Sequence, residues 1–256
     1  MPLLDPDSNY KVIGPGEHTR LGNGLIGGDR KNPKVVVAAN GGSDLIYLPD
    51  GDTAMAKRVI DFLLTQDYVS GLFVDPKLGK YPGTLTLNDV ALEGSAITPH
   101  PAIAISFRSF DTICGEPVRC AVEVADTGLQ QGQGMHGSFS RADTWNFMAM
   151  QGPDFKSQFV DPAPASNADL GRTIAQLMQL DPHDKGSLIG RVLAETMPGG
   201  SVPAVTSRVL KSVPAANGLM TVVDMQTVGT TRYFDAAGFP GRTVGLSTTG
   251  PASQTQ

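Results

Sequence analysis

Lys34-Val35-Val36-Val37-Ala38-Ala39, Leu45-Ile46-Tyr47-Leu48 and Gly71-Leu72-Phe73-Val74-Asp75, with a helical stretch before the last, decide the fold class. The first run is β-branched and uninterrupted, which predicts a buried strand, and Asn40-Gly41-Gly42 supplies a turn after it. Leu45–Leu48 predicts a second strand, closed by Pro49-Asp50-Gly51. Asp52 or Thr53 can cap a helix reaching about Gln66, because Met55, Val59, Ile60, Leu63 and Leu64 recur at helical spacing. Strand, strand, helix, strand in this order predicts an α/β or α+β layer.

Outward from that core the signals thin. Residues 1–33 are rich in Gly, Pro, Asn and Asp without periodicity, and are expected to be a loop-rich N-terminal segment. Residues 76–101 are turn-rich. Ala102 to Phe110 alternates as a strand should, and Val118 to Val124 is expected to form another. Gly128 to Asp143 is a glycine-rich loop, followed by an expected strand over Trp145–Met150. Ser166 or Asn167 caps a second helix from Ala168 to Leu180, stopped by Asp181-Pro182. Strands are expected around Val205–Val213 and Leu219–Val228, joined through Ala216-Asn217-Gly218 as a hairpin. The last ten residues, 247–256, are expected to be a disordered tail.

The 256 residues are 40% hydrophobic and 18% charged, with a net charge of −5, which describes a globular, lightly charged chain. No basic cluster is interleaved with aromatics, so nucleic acid is not an expected partner. No apolar run reaches membrane-span length, and the N-terminal residues lack the pattern of a signal peptide. Cys114 and Cys120 stand at a spacing that suits a small disulfide-closed loop or two unrelated thiols, and it does not suit a zinc ribbon.

Several chemistries are excluded by context. Two G-x-G-x-x-G matches occur, at Gly22, Gly24 and Gly27 and at Gly132, Gly134 and Gly137, but neither sits between a strand and a helix. A dinucleotide site needs that helix N-terminus to receive the pyrophosphate. The sequence contains no G-x-S-x-G, no H-E-x-x-H and no P-loop. Of the four histidines, His18 and His100 sit in loops and are expected to face solvent, while His183 follows a helix C-terminus, where a cation is favoured. His136 is different, because the glycines around it in Gly132-Gln133-Gly134-Met135-His136-Gly137 allow close approach of a ligand or ion. The residues alone leave two readings for it, a loop histidine bonded to backbone or a metal ligand.

The stretch from Gly134-Met135-His136-Gly137-Ser138-Phe139 through Gly152-Pro153-Asp154-Phe155-Lys156, Asp161-Pro162 and the helix with Ile174, Leu177 and Leu180 resembles nucleotide pyrophosphatase/phosphodiesterase-type enzymes of the alkaline phosphatase superfamily. In that family a His-Gly loop is followed by a strand, a Gly-Pro-x-Phe-Lys segment, an acidic-proline loop and a helix. The resemblance implies an α/β fold, here the C-terminal portion (34–246) of an alkaline-phosphatase-like sandwich, a mixed sheet flanked by helices. It also suggests a loop-rich, cap-like insert over about 76–131. It implies that His136 is a ligand of one metal of a two-zinc site, acting on a phosphate-ester small molecule. A Thr or Ser nucleophile and most of the Asp and His ligands lie earlier in the family's chain and have no counterpart here, since Asn40-Gly41 stands where Asp-His-Gly is sought. The expectation is therefore a partial metallohydrolase, needing a missing N-terminal half or self-association and giving little activity alone. A non-catalytic binding or interaction domain derived from the same fold is the alternative. The family is usually periplasmic or secreted.

Overall fold

The computed structural model describes residues 1–94, 98–110, 120–125, 128–130, 132–180, 189–246 and 252–254. Two compact units emerge: Met1–Trp145 with Val209–Asp224 and Asp235–Gln256, and Asn146–Arg208 with Met225–Phe234. Among the described residues no helix is long and apolar enough to cross a membrane.

The first unit is an α/β arrangement built on a large mixed sheet. Its strands are β1 (Leu3–Asp5), β2 (Lys11–Ile13), β3 (Gly24–Ile26), β4 (Val35–Ala39), β5 (Ser43–Tyr47), β6 (Val69–Val74), β7 (Leu85–Thr86) and β8 (Ile103–Phe107). Their order is β2-β1-β3-β4-β5-β8-β6-β7, with β6 and β7 parallel and the other pairs antiparallel. The β-branched run becomes β4, the Asn40-Gly41-Gly42 turn closes a hairpin, and β5 pairs back with Val37 opposite Ile46. Helix α1 (Thr53–Leu63) begins at Asp52, whose carboxylate accepts from the Ala54 and Met55 N–H groups. Its Ala56, Ile60 and Leu63 are buried against Ile46, Val69, Leu72, Ile103, Ile105 and Phe107. Strands β6 and β8 are buried throughout, because both their faces are covered.

Two expectations change here. Residues 1–33 are not simply loop, since β1 and β3 extend the sheet edge with Leu3 opposite Ile26 and Leu4 opposite Leu25. Three-residue strands carry no readable period, and only the partner's ladder makes them strands. Residues 76–131, expected as a cap-like insert, contribute β7 and the inner strand β8 to the sheet itself. After β8 the ladder breaks at Arg108, whose N–H donates to the Tyr68 carbonyl, and β9 (Ser109–Phe110) pairs with β10 (Ala121–Val122).

A second sheet orders β13-β12-β11-β14, from β11 (Val205–Lys211), β12 (Val222–Val228), β13 (Thr231–Gly238) and β14 (Ala252–Gln254). The hairpin expected at Ala216-Asn217-Gly218 is present, closed by Gly218 N–H to the Ala215 carbonyl and Ala215 N–H to the Leu219 carbonyl. Of the segment expected as a disordered tail, residues 252–254 are described and form β14, parallel to Val209–Lys211.

The strand expected over Trp145–Met150 is absent. The chain instead forms the short helix α2 (Arg141–Thr144), Trp145 N–H closes its last turn on the Arg141 carbonyl, and Phe147 is 91% exposed. With no partner ladder, the apolar run cannot satisfy strand backbone groups. The second unit carries α3 (Asn167–Leu177), which starts after Ser166 and matches the expected helix. Asp181-Pro182 and His183 lie outside the described residues.

Candidate functional site

In the first unit the His136 loop is held by its backbone. The β4–β5 turn is set by Asn40 N–H to the Ser43 carbonyl and Asn40 Nδ2 to Ser43 Oγ, both 3.0 Å. Gly42 N–H then donates to the His136 carbonyl at 3.1 Å. Gly41 has φ 66° and packs so closely that a Cβ there would run into the His136 carbonyl oxygen. Gly137, at φ 115°, meets the Asn40 carbonyl in the same way. Both positions need glycine for conformation and for space.

Beyond Gly137 the chain is fixed more firmly. Ser138 N–H donates to Asp143 Oδ2 at 2.7 Å, and Phe139 N–H donates to Ser106 Oγ at 3.2 Å. The Phe139 ring meets Phe73 edge-on, with centroids 5.0 Å apart. Arg141 forms an ion pair with Asp235. His136 itself is exposed, and its ring makes no hydrogen bond or ion pair among the described residues. His18 and His100 are exposed as expected. Cys120 is half-buried; Cys114, and with it the candidate disulfide, lies outside the described residues.

Zinc takes three or four protein ligands. Among the described residues no group of three or more His, Cys, Asp or Glu side chains could hold a metal ion. The described residues therefore do not assemble a complete zinc centre around His136.

Sequence reading passed over Asp44, which follows Ser43 at the start of β5. Its carboxyl is buried, Oδ1 has no hydrogen-bond partner, and burial pushes its pKa up to about 7 against the Asn40 backbone N–H, which lowers it. Nearby, burial and the charge of Asp67 raise the Glu123 carboxyl, with Arg108 opposing. The only signal for Asp44 was a carboxylate opening an otherwise apolar run.

The second unit holds a denser polar cluster. Arg191 Nε donates to Tyr233 Oη at 2.9 Å, Nη1 to Glu195 Oε2 at 2.9 Å and Nη2 to the Pro164 carbonyl at 2.9 Å. Glu195 Oε1 lies 2.6 Å from Arg191 Nη2 but off its N–H directions, so that oxygen is paired by charge without a hydrogen bond. Asp169 accepts from Arg191 N–H and Ser166 N–H, both at 2.8 Å, and from Tyr233 Oη at 2.9 Å. Burial and the bond to Asp169 push Tyr233 up to about 12. Internal acceptors thus occupy each side-chain nitrogen of Arg191, which leaves the guanidinium poorly placed to receive an external anion. Gly190 lies where a Cβ would strike the Ala168 carbonyl, so the Gly190-Arg191 turn depends on glycine.

Comparison of the chain with protein-family models, with curated proteins and with solved structures finds no match.

Proposed function

We propose that this chain is part of a metal-dependent phosphoric ester hydrolase of the nucleotide pyrophosphatase/phosphodiesterase type, to which it supplies the metal ligand His136. The observation that carries the reading is the clamp at that residue: the main chain is fixed through Gly42, Gly41 and Gly137, while the imidazole is exposed and bonded to none of the described residues. A ligand position needs a fixed backbone and an available ring nitrogen, and the other ring nitrogen is ordinarily anchored by an outer-shell acceptor, which here would come with the remaining ligands. The bound metal would be zinc and the substrate a phosphate-ester small molecule. The remaining ligands and the nucleophile come from a further polypeptide segment or another copy of the chain.

The test is a zinc titration of the purified chain, followed by NMR at the histidine rings. Zinc is expected to shift the His136 ring signals at millimolar concentration, and His136→Ala removes that binding. Hydrolysis of a nitrophenyl phosphodiester by the chain alone stays at the level of the His136→Ala control. Tight stoichiometric zinc that survives the substitution, or His136 signals indifferent to zinc, would refute the assignment.

A second reading, a non-catalytic interaction domain, is favoured by one feature of α3. Its buried positions are the polar Asp169 and Thr173, whereas Leu170, Ile174 and Met178 are exposed by 38%, 45% and 63%. That stripe at i, i+4 and i+8 is the kind of helix face a partner covers.

A further inference from the structure

Helix α3 buries its polar side and exposes its apolar one. Asp169 and Thr173 are completely buried, and Asp169 accepts from the Ser166 and Arg191 N–H groups and from Tyr233 Oη. Thr173 Oγ1 accepts from the Leu193 N–H, which pins the next turn in the same sense. A capping box between Ser166 and Asp169 sets the helix start. The helix cannot roll to hide its apolar side without breaking these bonds and leaving buried polar groups unpaired. Leu170, Ile174 and Met178 therefore form a fixed exposed stripe, with Leu177 half-buried beside it.

The stripe also carries no charge. Between Asn167 and Leu180 the ionisable side chains are Asp169 and Arg172 alone. Asp169 is turned inward, and Arg172 stands about 160° round the helix from Ile174. Gly171, exposed on the stripe side, has open space where a side chain would stand, so another helix backbone can come close there. This composition selects among partners. A charged peptide finds nothing to pair with. A membrane-surface helix sets basic residues along an exposed polar side, whereas the polar side of α3 is buried. Two copies of this chain, each with a net charge of −5, repel unless they meet where neither presents a carboxylate. In a twofold contact a face meets itself, so a charged face would meet its own sign. The uncharged α3 stripe satisfies both conditions.

We propose that α3 is a self-association surface, on which two copies of the chain pair as antiparallel helices about a twofold axis near Ile174. Ile174 lies midway between Leu170 and Met178, so Leu170 of one copy packs against Met178 of the other. This commits the interaction reading of α3 to one partner and rests on that reading; it is independent of the metal-ligand role of His136. An eleven-residue helix is about 16 Å long, and one face of it supplies less than a standard interface. The dimer is accordingly weak and exchanges readily with monomer.

The experiment is sedimentation of the full chain from about 10 µM to about 1 mM, with methyl NMR of the same samples against a soluble paramagnetic probe. The average mass is expected to rise towards twice that of the monomer, and the Leu170, Ile174 and Met178 methyls to lose their exposure to the probe in step with it. Ile174→Glu sets two carboxylates at the axis and removes the dimer. Ile174→Cys forms an intermolecular disulfide on mild oxidation, beyond any the wild type forms through its own cysteines. The wild-type methyl series stands even if a variant folds poorly. A chain monomeric throughout, with those methyls open to the probe, overturns the second copy as occupant and leaves the interaction reading to another partner. Methyls shielded in the monomer overturn both, because the chain's own residues then cover the stripe. A dimer that survives Ile174→Glu overturns α3 as its surface.

Discussion

Asp44 shows what a single residue costs when burial and charge conflict. Its carboxyl stands in the second strand of a hairpin, 8% exposed, with one oxygen lacking a partner. Its proton affinity is raised from 3.8 to about 7, mainly by burial. The folded state therefore keeps the proton over a range where the unfolded chain has lost it. Stability from this group is complete below about pH 4 and declines until pH reaches about 7, by at most roughly 4 kcal/mol. Asp44→Asn preserves the acceptor for the Asn40 N–H and cannot ionise. At pH 8 the variant is expected to unfold at a higher temperature than the wild type, and at pH 4 that advantage vanishes. Parallel thermal-unfolding curves across that range would show that the carboxyl is not what titrates.

At the scale of elements, α1 and α3 use the same periodicity for opposite ends. Helix α1 places Ala56, Ile60 and Leu63 on the sheet and is started by Asp52, which holds the Ala54 and Met55 N–H groups. Replacing Asp52 by Ala should cost about 1 kcal/mol of unfolding free energy, measurable by urea denaturation with an unchanged m-value. Helix α3 turns Asp169 and Thr173 inward, because Asp169 closes the network with Arg191 and Tyr233, and Thr173 Oγ1 accepts from the Leu193 N–H at 3.0 Å. The apolar positions are left outside. If that stripe is an interaction surface, Ile174→Glu abolishes association seen by sedimentation while leaving the helical circular dichroism unchanged. An unaltered sedimentation coefficient would remove support for the interaction reading. Trp145–Met150 is the converse case: its apolar residues read as a strand, but the hydrogen bond from Trp145 to the Arg141 carbonyl ends a helical turn instead.

At the scale of the whole molecule, the sequence by itself determined the elements whose partners lie close along the chain. The β4–β5 hairpin, α1 and β6 were legible between Lys34 and Asp75, and so were α3 and the hairpin at Ala216-Asn217-Gly218, because local periodicity, caps and turn residues specify them. His136 was legible as a candidate from its flanking glycines. Only the tertiary structure decided the rest. It recruited Leu3–Asp5 and Gly24–Ile26 to the sheet, placed Ile103–Phe107 between β5 and β6, and joined Asp169, Arg191, Glu195 and Tyr233 in one polar network. A three-residue strand has no period of its own. A carboxyl's proton affinity depends on what folding brings beside it and how much water it leaves, and neither is written in the residues on either side.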